Sequence, residues 1–189
     1  MIELLAVTAI IALITSIVLV NNNRFGGVVL LENLTYDVAL SIRQAQVYGI
    51  SVARFGSNEF VSGYGVHLAI SSPGTYALFA DVSSSGLYDC PVPDSPGCEL
   101  VSAASIRQGY QVSSLCATPI GGAESCSEIS RLDILFKRPE PDAWISRNGD
   151  SCTINNSSCM ESARIVLSSP RGDTMSVVVE ANGQIAVQK

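Results

Sequence analysis

Seventeen consecutive residues, Leu4 to Val20, carry no charge (LLAVTAIIALITSIVLV). As a helix at about 1.5 Å per residue the run is about 26 Å long, the short end of a membrane span. In lipid every backbone polar group must be satisfied within the segment, so the run predicts a helix. Thr8, Thr15 and Ser16 fit such a helix because a hydroxyl can bond a carbonyl one turn back. A cleaved secretory signal would need a basic segment ahead of the run and a small-residue cleavage site after it. No Lys or Arg precedes the run, and Asn21-Asn22-Asn23-Arg24 follows it, so the run predicts a retained anchor. The rest of the 189 residues suffices for one compact domain. The net charge of −6 argues against a nucleic-acid binder acting through overall charge, since neutralising phosphates needs a basic surface.

Glu3 stands at the N-terminal edge of the apolar run. An unpaired carboxylate among lipid tails costs several kcal/mol. Either Glu3 lies at the headgroup level or another chain supplies a partner charge. The segment MIELLAVTAIIAL resembles the N-terminal methylation segment of type IV pilins and type II secretion pseudopilins, whose usual form is GFTLIELLVVIAII. The match runs from Ile2 to Ile11. It implies that Glu3 pairs with the N-terminal amine of a neighbouring subunit during assembly. It also implies a basic leader, a cleavage Gly and a Phe upstream of Met1, with the leader supplying the cytoplasmic positive charge that orients the helix. Other pilin or pseudopilin subunits, a prepilin peptidase, an assembly ATPase and the membrane would be partners. The chain would sit in the cytoplasmic (inner) membrane with one span and an extracytoplasmic C-terminal domain, and enter a filament or pseudopilus on assembly.

After the anchor, Asn21 to Gly27 break the apolar pattern. Gly26-Gly27 costs roughly 2 kcal/mol of helix propensity against Ala-Ala, which predicts a flexible joint or locally melted helix. Leu31, Leu34, Val38, Ile42, Ala45, Gly49 and Val52 then recur at steps of three and four, one face of an amphipathic helix that ends near Ala53. Glu32, Asp37, Arg43, Gln44 and Gln46 mostly fall off that face, which is expected to pack on a sheet. Short β-branched or aromatic segments follow: 60–70, 75–82, 100–106, 110–115, 131–137, 143–146, 163–168, 174–180 and 184–187. Asn182-Gly183 signals a type I′ hairpin between the last two. One long helix followed by antiparallel strands is an α+β class, the strands forming one sheet or a sandwich. The organisation is an assembly helix over 1–23, its amphipathic continuation over 24–55 and an extracytoplasmic β domain over 56–189. That order agrees with the pilin resemblance, and the strand region is similar to the pseudopilin H family in Gly65-Val66, in Tyr76 to Asp81 and in Gly183-Gln184-Ile185.

The six cysteines form three close couples, Cys90/Cys98, Cys116/Cys126 and Cys152/Cys159. Six allow fifteen connectivities. The expectation is pairing within couples, each closing a loop of about ten residues for about 2.5–3 kcal/mol. Zinc would want closer spacing. Disulfides imply an oxidising, extracytoplasmic compartment. The segment Asp81 to Asp89 places oxygens at Asp81, Ser83, Ser85 and Asp89 around Gly86, which resembles a calcium loop lacking its acidic closing ligand, since Val92 stands there. The alternative is a Ser/Gly turn, and calcium, if bound, would bind weakly unless Asp94 or Glu99 folds in. No other cofactor is implied. His67, the single histidine, would have to be the base of any enzyme; no nucleophile elbow or nucleotide-binding loop accompanies it, so no catalytic residue is assigned. The reading is a structural subunit, a minor pilin or pseudopilin. The alternatives are a DNA-uptake minor pilin using Arg107, Arg131, Arg138 and Arg147, and a membrane-anchored extracytoplasmic enzyme or binding domain.

Overall fold

In a computed structural model the chain opens with one helix, α1, Ile2–Ile50. The structure describes residues 2–51, 53–56, 59–60, 63–90, 97–107, 109–152 and 158–189, and only the backbone of 20–25 and 59–60. Helix geometry runs through 21–27, where a break was expected. Hydrogen bonding along the helix outweighs the propensity cost of Gly26-Gly27, and the domain supports the second glycine: Tyr110 donates its hydroxyl hydrogen to the Gly27 carbonyl at 3.1 Å. The helix ends at Ile50, three residues before the expected boundary.

Among the described residues eleven strands follow. They are β1 (Arg54–Phe55), β2 (Glu59–Phe60), β3 (Gly63–Ala69), β4 (Thr75–Asp81), β5 (Leu100–Ser105), β6 (Gln111–Pro119), β7 (Arg131–Phe136), β8 (Ala143–Arg147), β9 (Met160–Ser168), β10 (Thr174–Glu180) and β11 (Ile185–Gln188). They make a five-stranded sheet ordered β5-β4-β3-β7-β8, a four-stranded sheet ordered β11-β10-β9-β6, and the small β1-β2 pair. All pairings are antiparallel. The fold is α+β. Two expected strands run longer: β6 continues from Leu115 to Pro119 and β9 begins at Met160, because these stretches pair with one another.

The amphipathic face of α1 is where the sequence placed it. Leu31, Val38, Ile42 and Ala45 are buried in one core with Val66, Leu68, Ile134 and Phe136 of the five-stranded sheet and Ile165, Val177 and Val179 of the four-stranded one. Leu34 packs at its edge, and Val52 lies outside the described residues. Two polar residues are buried with this face. Thr35 satisfies its hydroxyl on the Leu31 carbonyl. Gln46, expected off the face, is also buried. Its Nε2 donates to the carbonyls of Pro141 at 3.0 Å and Gly183 at 2.9 Å, and its Oε1 accepts from Arg43 at 2.7 Å. One side chain thus ties the helix to the turn that joins β10 and β11.

That turn differs from the expected type I′ hairpin. Only Gly183 takes positive φ, +82°, while Asn182 does not. The Gly183 N–H donates to the Glu180 carbonyl and the Glu180 N–H to the Gln184 carbonyl, the pattern of a type I turn closed by a glycine bulge. Ala181 is committed elsewhere: its N–H bonds the Glu161 carbonyl and its own carbonyl accepts from Ala143. Those bonds draw Ala181 out of the β10–β11 ladder and leave Gly183 to close the turn.

Candidate functional site

Two places combine unusual chemistry with exposure or burial. The first is the N-terminal part of α1. Residues Ile2–Leu19 form a stretch apolar enough to cross a membrane, and none of it is buried against the rest of the chain. Thr8 donates to the Leu5 carbonyl at 3.0 Å and Thr15 to that of Ile11, so neither hydroxyl asks anything of its surroundings. Glu3 lies exposed in the first turn. There the partial positive charge of the helix N-terminus favours a carboxylate, and among the described residues no basic side chain pairs with it. The apolar exposure continues past the span in Val28, Val29, Leu30, Tyr36, Leu40 and Val47, on positions not taken up by the sheets.

The second place is a polar network on the face of the five-stranded sheet away from α1. Strand register sets His67 beside Asp133 and Ala69 beside Arg131. Asp133 is fully buried. One of its carboxylate oxygens accepts from the Tyr88 N–H at 3.2 Å and lies 2.8 Å from His67 Nδ1; the other accepts from Arg131 Nε at 2.6 Å. Arg131 also donates to the Tyr88 carbonyl at 2.9 Å. The Tyr88 ring lies over His67 with centroids 4.8 Å apart and reaches Phe79 at 5.7 Å. Its hydroxyl pKa is raised above 10, first by burial and then by the Glu99 carboxylate. A buried carboxylate is tolerable when paired and hydrogen-bonded, and here the pairing fastens the segment before β5 onto the sheet. His67 borders a groove of about 360 Å³ with Ser72, Thr75 and Tyr88. Thr75 donates to the Ser72 carbonyl, and among the described residues the hydrogen-bond partner of the imidazole is Asp133, which orients the ring.

The candidate oxygens of the Asp81–Asp89 segment make hydrogen bonds within the segment. Asp89 accepts from Ser85 Oγ at 2.8 Å and Ser83 Oγ at 3.3 Å. Asp81 is buried and accepts from the Gly86 N–H at 3.3 Å. Glu99 does fold in, but its carboxylate accepts from the N–H groups of Val82, Ser83 and Asp89 at 2.8–3.1 Å. Among the described residues no three His, Cys, Asp or Glu side chains are grouped to hold a metal ion. Val92 and Asp94 lie outside the described residues.

Cys90–Cys98, Cys116–Cys126 and Cys152–Cys159 are disulfides, and no free cysteine occurs among the described residues. Of the four arginines of the DNA-binding alternative, Arg107 follows β5 at the end of the five-stranded sheet that also carries Arg131 and Arg147. Arg131 is held by Asp133, Arg147 ends the neighbouring strand, and Arg138 lies beyond the opposite end of β7. Comparisons with family models, with curated proteins and with solved structures find no match to this chain. Three residues escaped the sequence reading. Asp133 had a signal, a lone carboxylate in the apolar strand RLDILF. Gln46 had none, because its partners are backbone carbonyls 95 and 137 residues away. Tyr88 was one loop position among others.

Proposed function

We propose that the chain is a membrane-anchored structural subunit, a minor pilin or pseudopilin of a type IV filament or secretion pseudopilus, and not an enzyme. One observation carries the reading: a 49-residue helix begins with a bare apolar span holding Glu3, and its second half is built into the core of a disulfide-bearing β domain. A chain with only anchoring to do has no need of an acidic residue in its span, where the charge is expensive. The cost is recovered when a second subunit brings its N-terminal amine to the carboxylate inside a bundle of such helices. The disulfides support an extracytoplasmic setting for the domain. In this reading the inner membrane holds the subunit until assembly draws the span into the filament, with a peptidase and an ATPase platform acting upstream.

The test is Glu3→Leu in the full chain. The variant is expected to stay in the membrane fraction, with its soluble domain intact by circular dichroism, and to be missing from sheared filaments or cross-linked pseudopilus complexes. Incorporation at the wild-type level would overturn the pairing role.

A further inference from the structure

Two loops in contact lie at the end of the β domain nearest the span, beside the turn that joins β3 and β4. Gly109, between β5 and β6, lies against Pro170, between β9 and β10: a Cβ built on the glycine would come within 2.7 Å of the Pro170 ring. Tyr110 follows, reaching the Gly27 carbonyl of α1. It lines one groove with Arg107 and Leu30 and a second with Pro170, Arg171 and Gly27. Arg107 and Arg171 are exposed. The end is not uniformly basic. Asp37 lines the first groove, and Asp173 stands two residues past Arg171, where it accepts from Ser169. Glu32 is paired with Lys189 at 3.9 Å.

The helix fixes the height of these loops above the membrane. The apolar span ends at Leu19, and among the described side chains the first domain contact is at Gly27. Eight residues of helix rise about 12 Å. The headgroup layer on one side of the hydrocarbon is about 5–8 Å thick, so its outer surface lies about 4–7 Å below that contact. Arginine and tyrosine are the side chains that favour this layer, an Arg meeting phosphate in fork geometry and a Tyr placing its ring at the boundary.

From this juxtaposition, and resting on the reading of Ile2–Leu19 as a span, we infer that Arg107, Gly109 and Tyr110 and the Pro170–Gly172 loop dock on phospholipid headgroups, with Arg171 and Arg107 binding their phosphates. The domain is then held on the bilayer by a second contact besides its helix.

The full chain, isotopically labelled in phosphatidylethanolamine/phosphatidylglycerol bilayers with a small fraction of gadolinium-chelating headgroup lipid, tests the inference by NMR. The expected result is at least threefold stronger relaxation at the Gly109, Arg171 and Gly172 amides than at Gly121 and Gly183, which lie at the other end of the strands. The double variant Arg107→Gln/Arg171→Gln should bring that ratio close to one. Equal relaxation at both ends of the wild-type domain, with the span methyls showing acyl-chain contacts, would overturn the docking alone. Absence of acyl-chain contacts at Leu5 and Leu13 would overturn the span reading and the docking with it.

Discussion

Gly49→Ala sets two effects of known size against each other. An alanine in place of a helical glycine gains about 1 kcal/mol of propensity, and less in a last turn such as this. Against that, a Cβ at Gly49 would sit on the Phe136 carbonyl oxygen, within 2.7 Å of the carbonyl carbon and 3.0 Å of the Phe136 Cβ. The obstacle is backbone, and it cannot step aside, because Phe136 is paired with Tyr64 on one side and Ala143 on the other. The helix must lift from the sheet, and overpacking of that kind costs about 1–3 kcal/mol or more. The net expectation is a loss of about 1–2 kcal/mol, which for a chain of this size lowers the melting midpoint by about 2–8 °C. Trp144, the only tryptophan, sits on β8 opposite Leu135 and reports the adjoining strands. Melting the full chain in detergent, followed by Trp144 fluorescence, reads the effect. Gly26→Ala is the control: a Cβ there meets nothing within 4 Å, so only the propensity gain remains and the midpoint should not fall. A Gly49→Ala midpoint above wild type would show that the helix and sheet have slack at their crossing, and the argument from close approach would fail.

Other expectations follow from the same geometry. Gln46→Leu keeps the volume but removes the donor to two carbonyls, and should cost about 1–3 kcal/mol in a denaturant titration; an unchanged midpoint would show that the helix–hairpin tie is idle. Gly183→Ala combines positive φ with a Cβ against the Pro141 carbonyl and 2.7 Å from Gln46 Nε2, and should yield less folded protein than Gln46→Leu. Non-reducing peptide mapping should recover 90–98, 116–126 and 152–159 only, and replacing either cysteine of one couple by Ser should cost about 2.5–3 kcal/mol; links between couples would refute the pattern. Burial, then a like charge (Tyr48 for Tyr64, Glu99 for Tyr88), raises both hydroxyls above 10. The folded state therefore holds these protons more tightly than the unfolded one. Their contribution is complete below pH 10 and is lost as the pH climbs past it. Melting midpoints from pH 8 to 11.5 should bend downward above 10, less steeply in Tyr88→Phe, and a flat profile would contradict the assignment.

What could be read in the chain beforehand follows the range of the forces involved. The face Leu31-Val38-Ile42-Ala45 and the strand segments are local periodicities, and both survive in the structure because burial enforces them. The cysteine couples were legible for the same reason, being 7–10 residues apart. The uninterrupted helix through Gly26-Gly27 was not, because propensity ignores what Tyr110 supplies from 83 residues away. Nor was the hairpin type, which depends on Ala181 bonding Glu161 and Ala143. Spacing in the Asp81–Asp89 segment does not reveal that Ser85 bonds Asp89 within the turn, or that Glu99 folds in from ten residues beyond Asp89 to cap three backbone N–H groups.

All three disulfides close short loops within the β domain, and α1 contains no cysteine. Apart from the chain itself where it leaves Ile50, the junction between helix and sheets is therefore held by noncovalent contacts. A pull on the N-terminal end of the helix would load that junction in shear along the row from Leu31 to Gly49, with the Gln46 tie at its far end, while the disulfides would not cross it. Mechanical strength in this molecule is a property of side-chain interlocking along one helical face. An oxidising compartment would harden the loops against proteolysis without making the helix any harder to tear out.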